Sequence, residues 1–356
     1  MESYLEKLVS FYSVTDDQQA VCRLLDYTEA FFKERGLKVT RYEFDGVNSL
    51  VASVFDTKTP KLMLQGHVDV VPGANQPFQR AEGIVKGRGV FDMLFGVAAF
   101  MQLVDELDPV KNGNDIAIML VGDEEHGGMS GARLLLEREG YKPALCILPD
   151  AGNGFGSMSI AAKGTFHPYI RINGRSHHGS RPWEGDGAAG KLVRFITEME
   201  QLFDPSDQQN STMTVAMVQS GSASNQGPAT AEAKLDIRYK DKTDLDRIKE
   251  TFYALLNKYN GEVIDLLIGS DFQLDLQDER IVMFVDMYKQ ATGTGISFIK
   301  AHGSSDARFF AERGIPVIMF RPDGGGAHGD DEWLSLESFD AFYGLLRGYV
   351  QVLLSA

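Results

Sequence analysis

The sequence predicts an α/β fold in which a mostly parallel sheet, covered by helices, is interrupted by an inserted ferredoxin-like α+β unit. Three observations carry this expectation. The chain has 356 residues, which suits two domains better than one. From the N-terminus, short apolar runs alternate with helical patterns, as in a sheet buried on both faces. Near Gly164 the order changes to β-α-β-β-α-β, a compact ferredoxin-like unit, and the first pattern then resumes.

Each element follows from its local pattern. Within residues 17–35, Val21, Leu24, Leu25, Thr28, Phe31 and Phe32 form an apolar stripe at helical spacing that stops near Gly36. Lys38–Phe44 and Asn48–Phe55 alternate like antiparallel strands. Residues 61–64, 115–121 and 144–148 are apolar runs of buried-strand length, with helices expected at 96–107 and 130–139. The insert offers strands at 165–172, 212–219, 230–239 and 262–268 and helices at 187–202 and 244–260. Helices at 280–292, 305–313 and 337–354 and strands at 296–300 and 316–320 complete the first pattern. The expected division is a domain of residues 1–163 and 275–356 around an insert of 164–274.

Composition narrows the function. Hydrophobic residues make up 43% and charged residues 24%, the balance of a soluble globular chain. Asp plus Glu outnumber Lys plus Arg by 50 to 35, a net charge of −15. That charge repels nucleic-acid phosphates and anionic membrane surfaces, so neither is expected as a partner. No stretch approaches the ~18 continuous apolar residues of a membrane span. The start, Met1-Glu2-Ser3-Tyr4-Leu5-Glu6, lacks the basic-then-apolar pattern of a signal peptide. Cys22 and Cys146 lie far apart in apolar surroundings and read as reduced thiols, so a cytoplasmic location is expected.

The chemistry gathers after the predicted strands. Residues 61–64 lead to Gly66-His67-Val68-Asp69, residues 115–121 to Gly122-Asp123-Glu124-Glu125, and residues 144–148 to Pro149-Asp150. Residues 316–320 lead to the glycine-rich loop that ends in His328. Asp92, in Gly87-Arg88-Gly89-Val90-Phe91-Asp92, stands at a helix entrance. Ligands of open α/β sheets sit outside the carboxyl ends of the strands, so four strands bring these groups to one edge. Taken singly, each is unremarkable: a hydrogen-bonded His, an acidic turn, an N-cap. Together they supply two His and several carboxylates without Cys, a set suited to zinc, with manganese or cobalt as alternatives.

These segments resemble the di-zinc metallopeptidase and deacylase family of glutamate carboxypeptidase, succinyl-diaminopimelate desuccinylase, acetylornithine deacetylase and aminoacylase. The likeness runs from near residue 66 to near 330 and includes Gly174–Pro182 and Ser305-Asp306-Ala307-Arg308-Phe309. It implies an aminopeptidase-like catalytic domain with an inserted lid and dimerisation domain, two divalent metal ions per chain, and a homodimer. His67 and Asp150 would hold one metal, Glu125 and His328 the other, and Asp92 would bridge them. Asp69 would accept a hydrogen bond from the second ring nitrogen of His67. Glu124 would be the general base for a metal-bridging water that attacks the amide of a dipeptide or N-acyl amino acid. In the insert, the likeness selects His178 over His177 as the group stabilising the oxyanion of a neighbouring subunit. It also implies that Asn225 and Arg238 bind a substrate carboxylate.

Departures from the family pattern are informative. Leu94 and Phe95 replace the usual Lys and Gly after Asp92-Met93, so local packing must differ. Asp150 stands where deacylases and carboxypeptidases usually have Glu and aminopeptidase-like members have Asp, which tilts the expected substrate toward that of a dipeptidase or aminopeptidase. His302 reads as structural, and Arg308 as facing either the pocket or an acid on its own helix. Two competing functions remain open on sequence. A two-metal phosphoesterase also uses His-X-Asp but leaves the lid motif unexplained. A non-catalytic ligand-binding protein leaves Glu124 unexplained.

Overall fold

The computed structural model describes residues 1–207, 209–301, 303 and 305–355. His302 therefore lies outside the described residues. The chain divides into two compact units. The first comprises Met1–Ala161, Gln273–Ala301 and residues 305–355, and the second Ala162–Phe272.

The first unit is built on a nine-stranded sheet. Its order is Lys38–Phe44, Val47–Ser53, Ile116–Val121, Leu62–His67, Leu145–Ile147, Val317–Phe320, Ser157–Ala162 and Phe272–Gln273, with Ser297–Ala301 paired to Ser157–Ala162. The four central strands, from Ile116–Val121 to Val317–Phe320, run parallel. Their flanks are antiparallel. The central strands are buried throughout, which is why they read as continuous apolar runs rather than alternations. Helices Gln18–Glu34, Leu94–Leu107, Glu279–Thr292 and Leu336–Ser355 belong to this unit. Asp17 caps the first of these by accepting from Ala20 N at 3.0 Å. Leu94 and Phe95 open the Leu94–Leu107 helix fully buried. Phe95 packs edge-on against Phe339 and Phe342, which accounts for apolar residues at these two positions.

Three features were not expected from sequence. Glu2–Val9 is a helix that buries Leu5, Leu8 and Val9. Ser157–Ala162 is a strand. A small sheet joins Gln79–Ala81, Ile84–Lys86, Gly324–Gly325 and Trp333–Ser335, and His328 sits in the turn between its last two strands.

The second unit is a four-stranded antiparallel sheet in the order Thr212–Ser220, Thr230–Tyr239, Gly164–Asn173, Gly261–Gly269. Helices Ala188–Glu200 and Lys242–Lys258 bury their apolar stripes in one core with the sheet. Phe252 anchors that core, edge-on to Phe166 and Phe195. The chain order is the β-α-β-β-α-β of a ferredoxin-like unit.

Candidate metal centre

Strand Leu62–His67 ends on His67, whose side chain is fully buried. The neighbouring strands deliver Glu124 and Glu125, in a short 3-10 turn, and Asp150. Asp92 stands just ahead of the Leu94–Leu107 helix, behind a cis Asp92–Met93 peptide. Its two oxygens face two histidines. Oδ1 lies 3.3 Å from His67 Nε2, and Oδ2 lies 3.1 Å from His328 Nε2. His328 Nε2 is also 3.1 Å from Glu125 Oε2, and His67 Nε2 is 3.8 Å from Asp150 Oδ1. Potential ligand atoms of His67, Asp92 and Glu125, and of His67, Glu124 and Asp150, fall within 4.8 Å of one another. His328 holds its place with a positive φ of 64°, a conformation that a β-carbon resists.

The electrostatics fit divalent cations. Burial pushes the Glu125 carboxyl up to about 7, Glu124 well above the usual range, and Asp150 upward, with neighbouring acids adding to the effect on each. Burial acts in the same sense on Asp92, but hydrogen bonds with His328 and His67 outweigh it and hold that carboxyl low. Burial alone would lower His67, yet the acids around it raise it well above the usual imidazole value. Such crowding of buried acids calls for positive charge, from protons or from bound metal. His and carboxylate donors without thiolate suit zinc, manganese or cobalt.

Asp69 departs from the expected arrangement. The Nδ1 of His67 meets the backbone carbonyl of Asp69 at 2.9 Å, and the carboxylate Oδ1 stands off at 3.5 Å. The carboxylate instead accepts from the backbone N–H groups of Glu124 and Glu125, both at 3.2 Å, and from the Thr15 hydroxyl at 2.9 Å. The turn after the strand brings the carbonyl beneath the imidazole. The carboxylate is thereby freed to anchor the acidic turn.

Two supporting acids, Glu332 and Asp306, had no role assigned from sequence, and Arg308 turns toward the acidic turn. Glu332, 1% exposed, accepts from the backbone N–H groups of Gly89, Phe91 and Asp92 at 2.8, 2.8 and 2.9 Å. Arg88 lies beside it at 3.6 Å. Asp306 accepts from Gln65 Nε2 at 3.0 Å, and burial, with Asp123 next, pushes its carboxyl up to about 8. Arg308 donates to the Gly127 carbonyl at 2.5 Å, bracing the acidic turn. The only signal for Glu332 was its acidity, and it ends a run of three acids, Asp330-Asp331-Glu332, that reads as solvated surface.

The second unit carries the remaining residues. His177–His178 pairs antiparallel with Gln226–Gly227, which places Asn225 beside His178 on one ribbon. The Gly179 N–H donates to the Asn225 carbonyl at 2.7 Å. His178 is exposed, its Nδ1 2.8 Å from the Ser180 hydroxyl. His177 is half-buried, packed so closely on Gly227 that a β-carbon there would lie 2.1 Å from its Nε2. Arg238 grips Asp236 through Nε at 2.7 Å and Nη2 at 3.1 Å, and His167 joins Asp236 at 2.9 Å.

Comparison with known proteins adds family context. Residues 63–352 match the sequence profile of peptidase family M20/M25/M40. A succinyl-diaminopimelate desuccinylase of a Sulfurovum species is 26% identical over 364 residues, covering 96% of each chain. A tripeptidase from Staphylococcus aureus has TM-score 0.80 at 20% identity, covering 99% of this chain and 98% of its own. An aminopeptidase from Bacillus cereus has TM-score 0.79 at 19% identity, covering 98% and 96%. At these identities the structural likeness speaks for the fold.

Proposed function

Because the chain belongs to peptidase family M20/M25/M40, and is thus a hydrolase of peptide or linear amide bonds in small molecules, we propose a two-metal site for that activity. His67, Asp92 and Asp150 would hold one divalent cation, and Asp92, Glu125 and His328 the other. The observation that supports this most is the placement of Asp92, each of whose oxygens faces a different histidine. A carboxylate so placed suits a pair of cations ~3.5–4 Å apart. Zinc is our preferred metal, ahead of manganese and cobalt. When bound, such cations supply Lewis acidity, acidifying water and polarising a carbonyl oxygen.

This chain's own groups would handle the proton. Glu124 is half-buried among acids, which raises its basicity. Its side chain accepts no hydrogen bond from the protein among the described residues. A carboxylate in this state can take a proton from water and return it to the departing nitrogen. Asp69 would steady that step by holding the backbone of Glu124 and Glu125. His178, with Asn225 beside it, would stabilise developing negative charge on the carbonyl oxygen. Arg238 would bind a substrate carboxylate through the guanidinium edge that Asp236 does not take.

The substrate we propose is a dipeptide or an N-acyl amino acid. We take residues 1–163 and 275–356 as the catalytic domain and 164–274 as a lid that also forms a homodimer. Two features support that dimer: Thr212–Ser220 is an edge strand, and Val193 and Val218 are exposed on the same unit. A cytoplasmic location accords with two free cysteines and with the absence, among the described residues, of a helix long and apolar enough to cross a membrane. The decisive experiment assays the metal-loaded protein on dipeptides with free amino termini and on N-acetyl and N-succinyl amino acids. Failure to cleave any of them with about two metals bound per chain would defeat the proposal.

A further inference from the structure

From the way the fold holds its guanidinium beside the candidate metal ligands, we propose that Arg321 binds a free carboxylate of the substrate. This rests on the hydrolase reading above. Arg321 directly follows strand Val317–Phe320, whose Ile318 pairs in parallel with Ile147. Arg321 and Asp150 each lie three residues beyond that pair, so they leave the sheet side by side. The guanidinium is fixed at two points. Its Nε donates to the Gly152 carbonyl at 2.7 Å, and its face lies 4.2 Å from the centre of the Phe91 ring.

What Arg321 leaves open matters more than what it contacts. A guanidinium carries five N–H donors, and only the Nε–H finds a partner among the described residues. Asp150 and Asp92 are near enough for their charges to act on Arg321, yet neither forms an ion pair with it. A buried counter-ion gains by closing such a pair, because an open one keeps the desolvation cost without the contact. Arg321 is instead held by one edge and one face, with its terminal nitrogens free to accept a planar two-oxygen group. Arg238 differs, with its Nε–Nη2 edge already paired with Asp236.

The recognised group could come from either end of the amide: the α-carboxylate of the amino acid or a distal carboxylate on the acyl chain. Three substrates separate these sources: an N-succinyl amino acid, its C-terminal carboxamide, and its N-butyryl analogue. Each is assayed with wild type, Arg321→Met and Arg321→Lys, alongside metal content and melting temperature. Arg321→Met is expected to lose about 10- to 100-fold in kcat/KM wherever the recognised carboxylate is present, and little on the analogue lacking it. Sensitivity lost with the carboxamide identifies the α-carboxylate; sensitivity lost with the butyryl analogue identifies the acyl one. Arg321→Lys keeps the charge without the fork and is expected to fall between. Equal losses on all three substrates, or loss of bound metal, would overturn the proposal and make Arg321 a counter-ion. Should wild type cleave no amide, the hydrolase reading fails, and calorimetric titration with succinate and succinamide still tests Arg321. There, a roughly tenfold weaker succinate affinity in Arg321→Met supports the site, and an unchanged affinity removes it.

Discussion

Glu332 offers the sharpest test of how the fold holds its metal cluster. One oxygen of this buried carboxylate accepts from Phe91 and Asp92 N–H, the other accepts from Gly89 N–H, and Arg88 lies beside it, 2% exposed. In Glu332→Ala, three backbone donors lose their acceptor and one buried guanidinium loses its neighbouring counter-ion. Each orphaned donor costs ~1–3 kcal/mol, and breaking a buried pair costs ~3–5 kcal/mol in measured cases. The terms overlap, so we expect a loss of about 4 kcal/mol from a total of ~5–15 kcal/mol. Glu332→Gln is the more informative variant. It keeps an oxygen for Phe91 and Asp92 but turns an amide N–H₂ toward the Gly89 N–H, costing about 2 kcal/mol. Because the loop it holds ends on Asp92, metal affinity should also fall by about 10- to 100-fold. Urea unfolding of chelated protein measures the first effect, and metal titration of folded protein the second. Unchanged stability (within about 0.5 kcal/mol) would refute the hydrogen-bond argument. Lost stability with wild-type metal affinity would refute the link to Asp92.

Other perturbations probe neighbouring parts. Glu124→Gln should retain about two metals per chain and lose turnover, whereas His67→Ala and Glu125→Ala should lose metal in elemental analysis; full activity of Glu124→Gln would remove it as the base. In metal-free protein, burial keeps the Asp306 carboxyl protonated in the fold up to about 8, while in the unfolded chain it ionises near the ordinary carboxylate value of 3.8. The folded state therefore binds more protons through that window, and this residue costs progressively more stability as pH rises through it. Asp306→Asn should accordingly gain on wild type between about pH 4 and 8, read by chemical denaturation at several pH values; a pH-independent difference would contradict the buried acid. Gly227→Ala, whose β-carbon would meet the His177 ring, should disrupt the His178 ribbon and lower kcat with the metals still bound.

How much of this was legible in the sequence depended on whether a residue's role is local. His67, Asp92, Glu125 and Asp150 could be nominated as candidates because each stands next to an element whose pattern is itself local, and His328 because it follows the last parallel strand in a glycine-rich loop. The inserted unit was visible because alternation along Thr230–Tyr239 marks one buried and one open face. The Asp236–Arg238 pair could have been foreseen, since residues two apart on a strand share a face. Asp69 could not: whether its carbonyl or its carboxylate meets His67 depends on the path of the turn. Glu332 and Arg321 act on partners more than 150 residues away in sequence, at Phe91 and Gly152. Their partners exist only once the strands are ordered. The Glu2–Val9 helix was missed because it is shorter than three turns and only Leu5, Leu8 and Val9 mark its buried side.

The division of labour proposed for Glu124 and Glu125 rests on what each side chain touches, since distance alone does not separate them. An oxygen of Glu124 lies within 4.8 Å of candidate ligand atoms of His67 and Asp150, and one of Glu125 within the same range of His67 and Asp92. Consecutive residues in a 3-10 turn point about 120° apart, so two adjacent acids cannot serve one cation equivalently. Glu125 is committed by His328, which meets its Oε2 at 3.1 Å and also touches Asp92. That contact fixes one rotamer, as a ligand requires. Among the described residues Glu124 has no such contact, while its backbone N–H is held by Asp69; under the proposed mechanism its carboxylate would be left to water and substrate. A proton carrier has to reach two different atoms in one cycle, so it benefits from a fixed main chain and a free side chain. A ligand needs both fixed. Asp69, by binding both backbone N–H groups, gives the two acids a common origin, and His328 makes them different.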